Sequence, residues 1–196
     1  MNSAPSRSTK LRAPHLHPFR TVKKLSQASY VGLGCLLSMG SLAGVAAITQ
    51  TPFIFPSLGP TAYLLYFAPR AAASTPRACM VGHAIALVCG YLALVVSGLV
   101  DRPPTVEVKV EMARIIAASL ALGLTCFLLV LLKIDHPPAG ATTLIVALGL
   151  ITHPWQLVVM EIAVGVLLVQ ALLLNAWRGV PLPGWKGMSA APEKSP

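Results

Sequence analysis

Few side chains in this sequence could do chemistry inside an apolar environment, and they fall into two groups. The first holds hydroxyls and glycines: Ser57, Gly59 and Thr61, then Gly140, Thr142 and Thr143. The second holds groups able to carry a proton, His83, His136 and Glu161, each inside or beside an apolar run. The hydroxyls and glycines belong to one pattern written twice. Pro56-Ser57-Leu58-Gly59-Pro60-Thr61 and Pro137-Pro138-Ala139-Gly140-Ala141-Thr142 both read Pro-x-x-Gly-x-Thr, with Pro137 standing 81 positions after Pro56. In the second copy two consecutive prolines lack N–H donors and push the residues before them out of the α region. A helix therefore begins no earlier than about Pro138, with His136 just outside its N-terminus. Such a start aims unpaired N–H groups and the positive end of the helix dipole outward, and glycine leaves the backbone bare there. That is anion-binding chemistry, worth ~0.3–1 kcal/mol per exposed terminus and up to ~2 when partly buried. Ser57, Thr61, Thr142 and Thr143 add donors that suit a bent oxyanion, although the same hydroxyls also serve to satisfy helix ends.

An anion moving into a compartment that is negative inside climbs ~2.3 kcal/mol per 100 mV. Co-transport with a proton removes that cost, and His136, Glu161 and His83 are the candidate carriers. Glu161 lies seven residues into a long apolar segment, and an intramembrane carboxylate is a functional candidate by default. His136 has the titration range for a relay. The plainer alternatives are a neutral acid near the interface for Glu161, a helix cap or a bond to Asp135 for His136, and satisfied interface histidines for His83 and His153.

The elements that must position these groups follow from composition. Of 196 residues, 55% are hydrophobic and 11% charged, and the mean hydropathy is +0.72, which is the composition of a membrane protein. A helix needs ~20 apolar residues to cross the hydrocarbon. Four segments qualify, about Ala28 to Ile48, Cys79 to Val100, Met112 to Leu132 and Trp155 to Ala176. The two motifs open shorter runs, Ala62 to Ala68 and Leu144 to Ile151. The fold class expected is an all-α integral membrane protein, a two-repeat bundle of four long transmembrane helices plus two short Pro/Gly-initiated half-helices starting near the midplane. Broken helices at corresponding places in two halves mark the binding site of a transporter. Residues 1–24 read as a basic disordered tail, 25–176 as the membrane domain (repeats at about 25–100 and 112–176), and 177–196 as a polar C-terminal tail.

Whether the short runs cross the bilayer or re-enter is left open by charge. Either arrangement puts twelve of the 15 Lys and Arg residues on the side of the termini, which the positive-inside rule makes cytoplasmic. The net charge of +9 gathers at membrane edges without interleaved aromatics, which argues against a nucleic-acid partner. Cys35, Cys79, Cys89 and Cys126 lie in or at the edge of apolar runs, show no C-x-x-C spacing and read as free thiols packed as small hydrophobes. Small residues four apart, Gly40 and Gly44, then Gly82, Ala86 and Gly90, then Ala113, Ala117 and Ala121, signal close helix packing, with one stripe available for a homo-oligomer.

The octamer His136-Pro137-Pro138-Ala139-Gly140-Ala141-Thr142-Thr143, with Pro56 to Ala62 upstream, resembles the HPP family of small integral membrane proteins over roughly Lys24 to Ala176. The resemblance implies a helical membrane protein without a cofactor, whose partners are the lipid bilayer and a small inorganic anion, most directly nitrite. Pro60 departs from the small residue expected there and removes one N–H from the first half-site. The expected location is a bacterial inner membrane, multi-pass, with both termini cytoplasmic. The rival functions are a cation or metal transporter using His83, His136, Glu161 and Cys79, which lack a ligand spacing on one helix, and a non-transport assembly protein. An enzyme is not expected, since no convergent acids or H-E-x-x-H motif occur.

Overall fold

The computed structural model describes residues 18–107 and 111–185. Among these the structure is all-helical: α1 (Pro18–Thr49), α2 (Leu58–Phe67), α3 (Pro76–Val96), α4 (Met112–Leu131), α5 (Pro138–Ala147) and α6 (Pro154–Trp177), with a 3₁₀ turn at Ala72–Ser74. Four helices are long and apolar enough to span a membrane, Leu25–Thr49, Pro76–Val96, Met112–Leu131 and Pro154–Trp177. α1 begins inside the stretch read as the basic tail, with Pro18 supplying a favourable first helical residue. The rest of that tail, and the C-terminal stretch from residue 186, lie outside the described residues.

Local chemistry sets the boundaries. Pro76, Pro138 and Pro154 all open helices, where a missing N–H costs nothing. α3 stops at Val96, earlier than its apolar run, because Ser97-Gly98 closes a Schellman motif. Gly98 has φ 64°, its N–H reaches Val95 O and Leu99 N reaches Leu94 O at 2.9 Å. Gly149 ends α5 the same way, through Leu150 N to Ile145 O at 3.1 Å, so α5 covers only part of the apolar run after Thr143.

Contacts between helix ends give the direction of every element. Tyr30 of α1 donates to Asn175 Oδ1 near the end of α6 at 3.0 Å, and Asn175 Nδ2 donates to Leu65 O near the end of α2 at 3.1 Å. Arg77, at the start of α3, donates to Leu132 O just after α4 at 3.0 Å. One face therefore collects the starts of α1, α3 and α5 and the ends of α2, α4 and α6. On the opposite face Thr105 N donates to Leu148 O, at the end of α5. Both short helices carry the chain through to the other face, so each half makes three passes and the two halves run in opposite directions. A shift of 81 residues lays α2 on α5 and α3 on α6 within a few residues and the end of α1 on the end of α4, α1 being longer at its start, which is an inverted-topology repeat.

The halves meet on buried surface. α3 packs along α5 through Gly82, Ala86 and Gly90, all buried, so this small-residue stripe serves packing within the chain. Gly40 and Gly44 point outward, where an added Cβ would meet nothing within 4 Å. Tyr66 of α2 lies against Gly34, bonds Ser38 Oγ at 2.5 Å and meets Tyr30 edge-on. Asn175 is fully buried and clips α1, α2 and α6 together. Asn175→Leu leaves Leu65 O without that donor and is expected to destabilise the fold by ~1–3 kcal/mol, read as earlier unfolding in detergent.

Candidate functional site

The N-terminal turns of α2 and α5 converge on one side chain. His83, fully buried about 10 Å along α3 from Pro76, has Thr61 Oγ1 at 3.0 Å from its Nε2 and Thr142 Oγ1 at 2.7 Å from its Nδ1. Thr61 and Thr142 are the matching threonines of the two sequence motifs, and both are fully buried. His136, just before α5, completes the cluster. Its Nε2 is 3.2 Å from His83 Nε2, the rings meet edge-on, and its Nδ1 donates to Ala73 O at 2.9 Å. Ser57, before α2, accepts the Thr61 hydroxyl at its carbonyl at 3.0 Å, and its own hydroxyl is buried with no partner among the described residues.

Sterics explain how two imidazoles come so close. Gly82 has no Cβ, and one added there would sit 3.0 Å from His136 Cβ. α5 opens at Pro138, but Pro137 before it already has helical dihedrals (φ −54°, ψ −34°), against the extended conformation expected of a residue preceding proline, and His136 stands just ahead of that turn.

The remaining sequence candidates are placed elsewhere. Thr143, one position beyond Thr142, turns toward α4, where Thr125 Oγ1 lies at 2.8 Å. Gly59 faces open space, and an added Cβ at Gly140 would meet only Leu122 Cδ1, at 3.3 Å. Glu161 lines an apolar groove of about 490 Å³ on the outer surface of α3 and α6 with Met80, Gly165 and Gln170, apart from the histidine pair. The expected row of free N–H groups at α5 is not there: Pro137 and Pro138 have none, and those of Ala139 and Gly140 are bound by His136 O and Pro137 O at 3.1 Å. An early turn tightened to i→i+3 bonding consumes the donors that an ordinary helix start leaves open. At α5 the polar groups available to a ligand are therefore side-chain hydroxyls and imidazoles.

Above the cluster lies a cavity of about 370 Å³ lined by Arg70, Ala72, Thr75, Arg77, Lys133, Asp135 and Trp185 among others. The cavity and the cluster adjoin along the chain: Ala72 and Asp135 line the cavity, and the next residues, Ala73 and His136, make the contact between the His136 ring and the Ala73 carbonyl. Three cations against one carboxylate make it electropositive. Among the described residues no group of three or more His, Cys, Asp or Glu side chains is placed to hold a metal ion.

Three features were not foreseen from sequence. Ala73 acts through its carbonyl, Gly82 through an absent side chain, and Thr125 through a pairing across 18 residues. Arg114, in the first turn of α4, is buried at the far face, where it donates to the carbonyls of Arg102 and Pro103 at 3.4 and 3.1 Å.

Residues 20–182, and with them every group of this cluster, match the family model described as HPP, transmembrane region. The chain belongs to the HPP transmembrane family. The His-Pro-Pro of that name is here His136-Pro137-Pro138, the segment that delivers one imidazole of the pair and starts α5. Comparison with curated proteins and with solved structures gives no match. The chain is thus an HPP-family multi-pass membrane protein.

Proposed function

We propose that this HPP protein transports a small inorganic anion, nitrite being the first candidate, through the cluster where α2, α3 and α5 meet. The observation that carries the reading is that Thr61 and Thr142, equivalent residues of two inverted repeats, converge on opposite nitrogens of His83 beneath an electropositive cavity. Binding at the junction of inverted repeats lets one half rock against the other around a fixed site. The Ser57 hydroxyl has no partner among the described residues, and the hydroxyls of Thr61 and Thr142 turn to a monovalent oxyanion by leaving their present acceptors, so the anion is held without a fixed cation and release stays easy. The cavity gathers the anion at one mouth. Its basic lining, on the face that holds the start of α1 and the end of α6, supports a cytoplasmic mouth by the positive-inside rule, and a bacterial inner membrane is the setting we propose. A metal carrier would need a third ligand beside the histidine pair. We read the protein as a transporter because its hydroxyl–imidazole cluster sits at the junction of two inverted repeats.

Purified protein in liposomes is expected to give saturable nitrite uptake above protein-free vesicles. Thr142→Val is expected to lower it roughly tenfold, the equivalent of one lost hydrogen bond of ~1.4 kcal/mol. No saturable uptake from folded wild-type protein would sink the nitrite reading.

A further inference from the structure

We propose that His83 and His136 form one shared proton site, taking up a single proton with each monovalent anion so that the two cross together as a neutral pair. This rests on the anion-transport reading above and adds the coupling ion and the groups that hold it.

The hydrogen bonds leave little freedom in where the protons sit. Ala73 O can only accept, so His136 Nδ1 carries a proton, and in the neutral ring its Nε2 is an acceptor. His83 must then point Nε2–H at His136 Nε2, and its Nδ1 accepts the Thr142 hydroxyl. Thr61 fits the same scheme. Its own proton goes to Ser57 O, which leaves its oxygen to accept a share of His83 Nε2–H. The neutral pair is thus fully satisfied in one tautomer, with no spare donor pointing at another.

Adding one proton makes a single imidazolium of the pair, which we place on His136 because that ring keeps the Ala73 carbonyl on its second N–H. The proton bonds to His83 Nδ1, and the His83 Nε2–H bond breaks as that hydrogen passes to His136 Nε2 across 3.2 Å. His136 becomes the imidazolium, His83 is neutral with Nδ1–H, and the Thr142 hydroxyl turns from donor to acceptor. A second proton would place two N–H groups head to head and two cations in contact, so the pair holds one. The charge state is read by Thr142, a residue of the proposed anion site, and the pair joins the halves because His83 belongs to the first repeat and His136 to the second.

The neighbours do not offer a better proton carrier. Cys79 on α3 shares Ala73 O at 3.8 Å, and Asp135 precedes His136 but faces the cavity with Arg70, Arg77 and Lys133. α2 and α5 contribute only Thr61 and Thr142, α4 contributes Thr125 by way of Thr143, and Glu161 of α6 faces the outer groove.

The test uses the full chain in liposomes with an internal pH dye, nitrite outside, and a membrane potential set by potassium and valinomycin. Wild type is expected to acidify the lumen by one proton per nitrite, at a rate unaffected by potential. His136→Gln, which keeps an amide donor toward Ala73, is expected to lose the proton and to move any remaining nitrite in a potential-dependent way. Nitrite uptake by wild type without protons, or full coupling in His136→Gln and His83→Gln alike, would overturn the shared site while leaving anion transport standing. ¹⁵N spectra of histidine-labelled wild type give an arm independent of transport. Expected are Nδ1–H on His136 and Nε2–H on His83 at alkaline pH, and one added proton with His83 switched to Nδ1–H on acidification. If no nitrite moves at all, the substrate reading fails, and these spectra alone decide: two buried histidines titrating independently would overturn the site.

Discussion

Gly82→Ala is expected to cut nitrite uptake by roughly tenfold or more in protein that still folds, whereas Gly140→Ala stays within about twofold of wild type. The contrast comes from what each new methyl meets. At Gly82 it lies 3.0 Å from His136 Cβ and 3.3 Å from Cδ2. Cβ is fixed to the backbone, and that backbone runs straight into Pro137 and Pro138, so His136 has to shift as a whole. Its ring would leave line with both Ala73 O and His83 Nε2, and misplacement of a functional group by about 1 Å costs up to ~100-fold. At Gly140 the methyl meets only Leu122 Cδ1, the free end of a flexible side chain, at 3.3 Å. Uptake kinetics for the two variants, beside their unfolding in detergent, check this. Equal loss in both would mean that close backbone approach at the α5 start, and not the placement of His136, matters.

The architecture was legible because its strongest determinants are local. Prolines 76, 138 and 154 open helices, charge-free stretches of about 20 residues mark the spans, and the repeated Pro-x-x-Gly-x-Thr gave the register that relates the halves. Whether the short elements cross was not legible, because both topologies place the same number of cations with the termini. Contacts far apart in sequence decided it, such as Arg77 with Leu132 and Asn175 with Leu65. The site was half legible. Thr61, Thr142, His83 and His136 were all named, yet their joining depends on α3 lying between α2 and α5, which no spacing in the chain encodes. Thr143 shows the limit: next to Thr142, it is turned about 100° around the helix and serves α4. The helix-start argument failed at α5 for a backbone reason, since two prolines and two tight turns leave its first N–H groups absent or used.

The inverted arrangement also explains why one histidine can serve both motifs. α2 approaches its N-terminal turn from the far face and α5 from the near one, so their starts meet within the bilayer and not at opposite surfaces. A residue on α3, which passes beside both, then meets a threonine from each half. His83 has no counterpart in the second repeat, where the equivalent position on α6 is Val164, buried in the apolar core. The pseudo-symmetry therefore governs the scaffold and the threonines, while the proton-bearing groups break it. In an alternating-access cycle, where the halves exchange conformations about a pseudo-two-fold axis, an asymmetric site of this kind is not returned to itself by the exchange.

Gly90→Ala is expected to cost ~1–3 kcal/mol of stability as an overpacked core position and to lower uptake as well. The added methyl would lie 2.8 Å from Val146 Cβ and 2.9 Å from Thr143 O. Neither is the end of a flexible side chain, so α3 and α5 must move apart. Thr143 O adjoins Thr142, and His83 lies only about 10 Å down α3, so a splayed interface lengthens the 2.7 Å contact between His83 and Thr142. Denaturation in mixed micelles measures the first effect and liposome uptake the second. Gly40→Ala and Gly44→Ala supply the control, because they add the same methyl on a helix where it meets nothing within 4 Å. If all three variants unfolded alike, the loss would belong to glycine in helices generally. A loss confined to Gly90 would assign it to the line along which α3 is pressed against α5, and so to the contact that holds the two halves around His83.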